Sequence, residues 1–379
     1  MERKTLIVIL GLLSIYFSWN IHQYPPVHVD EPWETITAYQ LYFHGKLNNP
    51  VLQGPEFYQE HFVEPRILQS IVLGLFYKVF GLHLWVGRMV SVILGACVLL
   101  CFYYLLKRYQ VDNYLIFFGV IILSTHHYFF IFSRTIRPEI YVTFIGFACF
   151  SALLKGFDTE KKIWFALTGF LMGIGMWTHP AFAIWCAALI SMLFLEYQLK
   201  TFTLKKTSIV LLFFVIGLLP FIIYLIIEDA GNDFSHFWLQ IRRGAVQNAS
   251  FLTQTFFDEF SRYQEYASGT RLPIVILEIV FIILSFKSND RLSRYSRVVI
   301  LFHIILLPVL IKSRKARYLV PALPLLIILM LQTFRSFELE YLKNWFRKFA
   351  ALHFIQRLLI VSGIFLLVFQ VSAQSILMT

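Results

Sequence analysis

Long apolar runs without charge recur along the chain. The run from 208 to 227 holds 20 residues and no Asp, Glu, Lys or Arg, and about 20 apolar residues are what an α-helix needs to cross a bilayer. Of the 379 residues, 58% are hydrophobic and 15% are charged, whereas about 25% are charged in an average soluble domain. This pattern excludes a soluble enzyme, a disordered tail and a disulfide miniprotein, and it predicts an all-α integral membrane protein.

A search for such runs, with their ends checked for Lys and Arg, predicts a bundle of about eleven transmembrane helices. The predicted spans are 4–21, 87–106, 113–132, 139–156, 163–179, 180–198, 208–227, 273–287, 297–312, 317–334 and 357–376. The stretch 67–82 is apolar but shorter and carries Lys78, so we interpret it as an interfacial or re-entrant helix. The basic, apolar N-terminus lacks a following cleavage site and is interpreted as a retained first span.

The distribution of Lys and Arg orients these spans. With the N-terminus in the cytoplasm, the inner loops hold 19 of the 33 basic residues. The net charge of +11 therefore indicates how the spans are oriented in the membrane and does not indicate nucleic-acid binding. These inner residues are Arg3, Lys4, Lys107, Arg108, Lys155, Lys161, Lys162, Lys200, Lys205, Lys206, Lys287, Arg291, Arg294, Arg297, Arg335, Lys343, Arg347, Lys348 and Arg357. The chain is therefore predicted to be a multi-pass protein of the cytoplasmic (inner) membrane, with membrane lipids but no nucleic acid as partners.

Two outer loops are long, at about 21–86 and 228–272, and we expect function on that face. Residues 1–335 are predicted to form the catalytic membrane domain. Residues 336–379 are predicted to add an amphipathic helix at the cytoplasmic surface and the last span.

The first outer loop carries adjacent acids. Asp30 precedes Pro32 by two residues, which is typical of a helix start, and Glu34 lies one turn beyond Asp30 on the same helix face. This spacing predicts two carboxylates side by side at the membrane surface. The alternative is an ordinary capped interfacial helix with solvated acids.

Two groups of cations lie on the same predicted face. Arg134 and Arg137 precede Pro138 and Glu139 between the third and fourth spans; they would either form salt bridges or hold an anionic ligand. The segment 312–318 contains four cations and Tyr318, which suits a phosphate, although headgroup snorkelling is the alternative.

Acids and cations on one face beside lipid fit one reaction, an inverting displacement at a sugar carbon with a lipid phosphate as leaving group. The phosphate leaves as a stable anion and needs cations, not an acid. The incoming hydroxyl needs a carboxylate base.

The sequence resembles the polytopic GT-C glycosyltransferases, in particular the protein O-mannosyltransferase-like and lipid A aminoarabinose transferase-like branch, which takes sugar from polyprenyl phosphate. The resemblance spans roughly 1–335. It rests on the order of four segments: DEPWE at 30–34, FGLHLWVGRMVSVILG at 80–95, SRTIRPE at 133–139 and KARYLVPALP at 315–324.

The resemblance implies an inverting transfer from a polyprenyl-phosphate sugar donor to a lipid, glycan or protein acceptor on the outer (periplasmic or exterior) face, with Asp30 as general base. Arg88 would be structural or close to the phosphate. Together with the spacing of the acids, the resemblance gives these substrate-binding candidates: Glu31, Glu34, Arg88, Arg134, Arg137, Glu139, Lys315, Arg317 and Tyr318.

Metal binding has weaker support, and no cofactor is assigned beyond an optional divalent cation. His126, His127 and His179 lie near predicted outer span ends and would combine with Glu60, His61 or Glu64 around such an ion, but no closely spaced ligand pair designates a metal ligand. His179 stands in Thr178-His179-Pro180 where relatives commonly have a Lys.

Two rival functions use the same topology. A transporter or flippase for a lipid-linked glycan would place charge at mid-bilayer depth, where only Glu278 is found. A non-catalytic membrane scaffold is the third hypothesis.

Overall fold

The computed structural model describes residues 15–28, 30–47, 66–199, 204–227, 272–310 and 316–336, together with the single positions 11 and 264. Its described residues form helices joined by turns and contain no strand. This confirms the predicted all-α class.

The α-helices of the described segments differ in length and pack in one bundle. They are α1 Asp30–His44, α2 Ile67–Phe80, α3 Leu84–Arg108, α4 Asn113–Thr125, α5 His127–Phe132, α6 Pro138–Thr159, α7 Lys162–Gly175, α8 Phe182–Gln198, α9 Leu204–Ile227, α10 Leu272–Leu284, α11 Arg291–Leu310 and α12 Leu323–Ser336. Two 3-10 helices, Ser285–Lys287 and Ala316–Ala322, follow α10 and precede α12.

Within the described residues, nine of the eleven predicted spans coincide with helices. Four helices are long and apolar enough to cross a membrane by length and composition: Leu84–Arg108, Pro138–Thr159, Leu204–Tyr224 and Arg317–Arg335. The span 357–376 lies outside the described residues, and 4–21 is described only in part. The total of eleven spans therefore stays a prediction.

Two predicted spans are interrupted. The span 113–132 is divided into α4 and α5 at His126, whose backbone is extended with φ −59° and ψ 124°. The span 317–334 starts as the 3-10 helix Ala316–Ala322, which contains Pro321. Proline has no backbone N–H and disfavours α-helical hydrogen bonding at its position, although α9 and α11 accommodate Pro220 and Pro308.

The apolar stretch at 67–82 is a separate short helix, as expected. The 14 residues of α2 rise only about 21 Å, less than the hydrocarbon thickness of about 30 Å. It ends at Gly81, whose φ of 85° lies in the left-handed region that favours glycine. Three residues later α3 begins.

Close backbone packing joins α7 to α9. A Cβ atom on Gly169 would lie 2.1 Å from the Val210 carbonyl oxygen, and one on Gly173 would lie 2.4 Å from that of Phe214. Spaced four residues apart, these glycines let the two helices approach without a large side chain between them.

The helices differ in how deeply they lie in the bundle. In the most apolar stretch of α6, 72% of residues are buried, against 11% in Leu204–Tyr224 of α9. Most of α6 is therefore enclosed by the rest of the protein, whereas most side chains of α9 are not buried, as expected of a helix at the lipid-facing edge of a membrane bundle.

Charged residues gather at two opposite ends of the bundle. At one end, which we call the basic end, Asp158 accepts hydrogen bonds from Arg108 Nε at 3.0 Å and from Arg291 Nη1 at 2.8 Å. The buried Glu196 lies 3.3 Å from Arg291 Nε. These residues all belong to predicted inner loops or their flanking turns. The opposite end, the site end, carries Asp30.

Several predicted features lie outside the described residues. They are the second long loop beyond 227, Lys315, and the segment 337–379 with its predicted amphipathic helix and last span. The proposed division at residue 335 stays a prediction for the same reason.

Candidate active site

Asp30 begins helix α1 at the site end of the bundle. The turn before it is closed by local hydrogen bonds: His28 N donates to Glu31 Oε1 at 2.9 Å, and Asp30 N donates to His28 Nδ1 at 3.2 Å. A ring nitrogen that accepts a hydrogen bond carries no proton, so this contact corresponds to a neutral His28 imidazole. Burial, followed by the charges of Arg137 and Arg317, lowers the pKa of His28. The sequence placed the start of α1 correctly.

Two arginines contact Asp30. Arg137 Nη1 donates a very short hydrogen bond to Asp30 Oδ2, and Arg317 Nη1 reaches the same oxygen at 3.4 Å. One of these arginines comes from the turn before α6 and the other from the 3-10 helix before α12. Residues far apart in sequence are therefore brought to one carboxylate oxygen, as the sequence predicted for this face.

Glu139 closes the cluster. Its carboxylate accepts from Arg137 Nη2 at 2.8 Å and from Arg137 Nε at 3.1 Å, and Arg317 Nε lies 3.2 Å from Oε1. We call Asp30, Arg137, Glu139 and Arg317 the charged quartet. Its two cations and two anions balance, so an added phosphate must compete with a carboxylate for each guanidinium.

The quartet has a closed side and an open side. The side chains of Arg137 and Glu139 are 4% and 3% exposed, whereas those of Asp30 and Arg317 are 20% and 19% exposed. Pro138 and Glu139 form the first turn of α6, where a fixed φ and a negative charge both favour a helix start. A ligand arriving from outside therefore meets Asp30 and Arg317 first.

Tyr318 and His179 extend the site beyond the quartet. The Arg317 guanidinium lies over the Tyr318 ring at 5.2 Å, and the ring centroid of Tyr318 is 5.7 Å from that of His179. His179 lies in the turn between α7 and α8, where its Nδ1 accepts from Ala181 N at 3.1 Å. Burial, only partly opposed by Glu139, lowers the pKa of His179 to about 4, which makes it neutral at pH 7.

Sequence reasoning left His179 without a role in the site. Its signals were a weakly supported place among candidate metal ligands and its position where relatives commonly carry Lys. Contact with Tyr318 depends on the packing of the α7–α8 turn against the segment before α12, which local spacing does not encode.

Glu31 and Arg88 form a buried pair behind the quartet. Arg88 donates from Nε to Glu31 Oε2 at 2.9 Å and from Nη2 to Oε1 at 2.7 Å, and both side chains are 0% exposed. Arg88 Nη1 also donates to the Ile21 carbonyl at 2.8 Å, and Ile136 N donates to Glu31 Oε2 at 3.2 Å. The pair thereby joins α1, α3 and the turn that carries Arg137.

Glu34 and Arg134 are engaged in separate contacts. Glu34 is buried and accepts a short hydrogen bond from Arg66, the residue before α2. Arg134 donates to the carbonyls of Tyr24, at 2.9 Å, and of Trp19. Its guanidinium therefore holds the chain that leads into α1.

The candidate metal ligands do not come together in the described segments. No group of three or more His, Cys, Asp or Glu side chains able to hold a metal ion occurs there. His126 lies instead beside Glu278, with Nε2 at 3.5 Å from Oε1. Glu60, His61 and Glu64 lie outside the described residues, as does Lys315.

The fold and the site together define a polytopic membrane bundle with carboxylates and arginines clustered at one end, which is the arrangement expected of a GT-C protein. Residues 65–227 match the family model of dolichyl-phosphate-mannose-protein mannosyltransferases. A comparison with curated proteins gives no match.

Two solved structures of ArnT from Cupriavidus metallidurans share the fold. The structure bound to undecaprenyl phosphate superposes with a TM-score of 0.61 at 14% identity, covering 88% of this chain and 60% of that chain. The apo structure gives a TM-score of 0.64 at 12% identity, covering 92% and 62%. The chain thus has the GT-C fold, confirming the resemblance stated from the sequence, and spans about three fifths of the length of these structures.

Proposed function

We propose that this membrane protein transfers a sugar from a polyprenyl-phosphate donor to a hydroxyl group of a lipid, glycan or protein acceptor, with inversion at the sugar carbon. The observation that carries the proposal is the charged quartet, in which Asp30 Oδ2 contacts both Arg137 and Arg317. The ArnT structure bound to undecaprenyl phosphate supports a donor of that chemical class.

The two arginines are assigned to the donor phosphate. A planar guanidinium binds carboxylate and phosphate in the same bidentate geometry, so a phosphate can replace a carboxylate without a change of cation. Arg317 is the more exposed of the two arginines, and it is expected to be the first to exchange a carboxylate partner for the phosphate. Lys315, which lies outside the described residues, is proposed to add a further cation.

Asp30 is assigned as the general base. When Arg317 turns to the phosphate, Asp30 Oδ2 loses one of its two guanidinium contacts and becomes available to an incoming hydroxyl. The hydroxyl proton then passes to Asp30 as oxygen attacks the sugar carbon, and the bond to the phosphate oxygen breaks on the opposite face. The phosphate leaves as an anion and needs no acid.

The remaining site predictions are assigned by their contacts. Tyr318 orients Arg317, to which it is hydrogen-bonded at 3.4 Å, and Glu139 holds Arg137. We assign Glu31 with Arg88, and likewise Glu34 and Arg134, to positioning α1 and its preceding turn, because each has partners within the protein. They would act on substrate through Asp30.

The site end is proposed to face the periplasm or exterior. Loops predicted to be cytoplasmic meet at the basic end, which carries Arg108 and Arg291, and positively charged loops stay on the cytoplasmic side. A membrane-impermeant thiol-reactive label applied from outside tests this orientation. The label is directed to a cysteine placed at Val27, which is 56% exposed at the site end, in a variant whose four native cysteines are replaced.

Replacement of Asp30 by Asn tests the base assignment. The variant is expected to fold and bind undecaprenyl phosphate but to lose at least about 100-fold in sugar transfer, since a positioned base contributes about 10²–10⁴-fold. Asp158→Asn is the matched control, because Asp158 also accepts from two arginines, but at the basic end. Full turnover by purified Asp30→Asn protein would remove Asp30 as the base.

A transporter or flippase for a lipid-linked glycan is the second candidate. One observation favours it: His126 and Glu278 pair within the predicted spans, beside the break between α4 and α5, and ionisable residues at such depth often mark transport paths. Loss of lipid translocation in Glu278→Gln, with sugar transfer absent in the wild type, would favour transport over transfer.

A further inference from the structure

His28 caps the start of helix α1, two residues before Asp30. Its Nδ1 accepts a hydrogen bond from Asp30 N at 3.2 Å, and its own backbone N–H donates to Glu31 Oε1 at 2.9 Å. The His28 carbonyl accepts from Glu31 N at 2.9 Å. These reciprocal bonds are those of a capping box, in which a cap side chain and an acid three residues later each satisfy an N–H group of the helix start. The His28 side chain thereby fixes the backbone that carries the Asp30 carboxylate.

Histidine differs from the usual helix caps because protonation removes its acceptor. Ser, Thr, Asp and Asn cap helices through oxygen atoms that take up no proton near neutral pH. A neutral imidazole has one nitrogen that accepts, whereas both nitrogens of the charged ring carry a proton and only donate. Because a backbone N–H donates and never accepts, the bond from Asp30 N requires an unprotonated His28 Nδ1. This cap of α1 therefore exists in one protonation state only.

The carboxylate of Asp30 lies beside the same ring nitrogen. Asp30 Oδ2 is 3.7 Å from His28 Nδ1, and it is also the oxygen that Arg137 and Arg317 contact. In the neutral ring, Nδ1 presents a lone pair to this oxygen and offers it no proton. In the charged ring, Nδ1 carries a proton that Oδ2 attracts as it attracts the two guanidinium groups. Protonation of His28 thus exchanges a bond to the Asp30 backbone for one to its carboxylate.

The charged groups that face His28 come from α1, from the start of α6 and from the 3-10 helix before α12. Burial has the largest influence and lowers the pKa of His28; the facing arginines lower it further, and the facing glutamates raise it. The side chain is 42% exposed, so solvent protons reach it directly. The facing groups are Asp30, Glu31, Arg137, Glu139 and Arg317.

We propose that His28 is a positioning residue for Asp30: as a neutral cap it holds the start of α1 and leaves the Asp30 carboxylate to the arginines and to the incoming hydroxyl. The proposal rests on the proposed function, in which Asp30 takes the hydroxyl proton. Protonation of His28 removes the cap and adds a further cation to Asp30 Oδ2, so sugar transfer is lost in acid in step with the charge on His28. His28 itself neither gives nor takes the proton of the acceptor hydroxyl.

Two substitutions separate the cap from the charge. His28→Asn keeps a side-chain oxygen that accepts from the first turn but takes up no proton, whereas His28→Ala removes the acceptor. Full-length protein in lipid nanodiscs is given undecaprenyl phosphate that carries glucose, mannose or arabinose, with envelope from cells without the protein as acceptor. Release of undecaprenyl phosphate is followed between about pH 5 and pH 8, the range in which histidine titrates.

The pH profiles of the variants should differ. Wild-type turnover should fall below a midpoint that lies under pH 6.5, by about tenfold for each further pH unit. His28→Asn should keep turnover within about threefold of the wild type at about pH 7.5, and its loss in acid should begin at least about half a pH unit lower. His28→Ala should lose about tenfold at about pH 7.5, because its base is displaced, while its Kd for undecaprenyl phosphate changes by less than about twofold.

A control and a second measurement distinguish this role from a structural one. His22→Asn is the matched control, since His22 is exposed and precedes His28 in the same segment; its pH profile should be that of the wild type. Amide hydrogen exchange reports the cap without turnover. Protection of the Asp30 amide, corrected for the intrinsic exchange rate, should decrease in the wild type as the pH falls below 6.5 and stay constant in His28→Asn.

The outcomes separate the two proposals. If wild-type protein neither binds undecaprenyl phosphate nor releases it from any of the three sugar-bearing lipids, the proposed function fails and the positioning role fails with it. If sugar transfer is observed but wild type and His28→Asn lose it at the same pH, only the positioning role is overturned. Equal turnover of His28→Ala and His28→Asn, or Asp30 amide protection that does not change with pH in the wild type, would overturn it as well.

Discussion

Replacement of Arg317 by Gln separates phosphate binding from structural support. In the free protein, Arg317 contacts Asp30 Oδ2 at 3.4 Å and Glu139 Oε1 at 3.2 Å, with a side chain that is 19% exposed. Glu139 keeps its two hydrogen bonds from Arg137 in the variant. We therefore expect the loss of stability to stay below about 1 kcal/mol, as for other partly exposed ion pairs.

The effect on the donor should be much larger. In the complex, Arg317 is proposed to donate to the phosphate, and a hydrogen bond to a charged group contributes about 1.5–3 kcal/mol. Loss of that interaction raises the Kd for undecaprenyl phosphate about 10- to 100-fold. The apparent KM for the acceptor should rise by a smaller factor, because the acceptor is expected to approach Asp30.

Titration of undecaprenyl phosphate into nanodisc-embedded protein measures this effect. The matched control is Arg291→Gln, because Arg291 also bridges two carboxylates, Asp158 at 2.8 Å and Glu196 at 3.3 Å, at the opposite end of the bundle. The control should bind the lipid like the wild type. Equal weakening in both variants, or a Kd for Arg317→Gln within about twofold of the wild type, would refute the phosphate assignment.

Two further predictions concern groups around the quartet. Glu31→Gln should destabilise the protein by about 3–5 kcal/mol, because it leaves the fully buried Arg88 without its anion. Thermal unfolding measures the loss of stability. The double variant Glu31→Leu with Arg88→Met should recover most of that stability, and failure of this rescue would contradict the pairing of Glu31 with Arg88. For His179, whose pKa is lowered to about 4 by burial, the unfolded chain binds the proton first as the pH falls below about 6.5. Stability should therefore decrease between about pH 6.5 and pH 4, and His179→Asn should flatten this dependence in pH-resolved unfolding; an unchanged slope would assign the dependence to other groups.

The helical bundle follows from the sequence for a physical reason. A span of about 20 apolar residues has few stable alternatives to a helix in lipid, because every backbone polar group must be satisfied within the segment. Breaks inside spans are harder to predict. The break at the extended residue His126, between α4 and α5, falls in the polar stretch Ser124, Thr125, His126 and His127. A search for long uncharged runs passes over this stretch, because none of the four residues is Asp, Glu, Lys or Arg.

The site was predictable in part. Charge pattern and topology placed Asp30, Arg137, Glu139 and Arg317 on one face, and the structure brings them into contact. Local spacing also paired Asp30 with Glu34, but Glu34 is bonded to Arg66 because α2 packs against α1. Which arginine pairs with which acid depends on tertiary packing. Helix periodicity gives only the helix face that carries each side chain.

The side chain of Gln69, which is fully buried and has no hydrogen-bond partner for its amide, illustrates the same limit. Gln69 lies in an apolar stretch and gives no sequence signal beyond being the one amide in it. Its lack of partners is a property of the packing around the first turn of α2, and becomes visible only when every neighbouring donor and acceptor is placed.

The most direct test of the account is mass spectrometry of the lipids and glycans of the cell envelope, with and without this protein. Proposed sugar transfer predicts a glycan or lipid that lacks one sugar in cells without the protein, together with accumulation of the sugar-bearing polyprenyl phosphate. Expression of the wild type or Asp158→Asn should restore the sugar, and Asp30→Asn should not. The central claim would be contradicted if the envelope were identical in cells without the protein and in cells that express the wild type, Asp158→Asn or Asp30→Asn. Equal restoration of the sugar by Asp30→Asn would also contradict it.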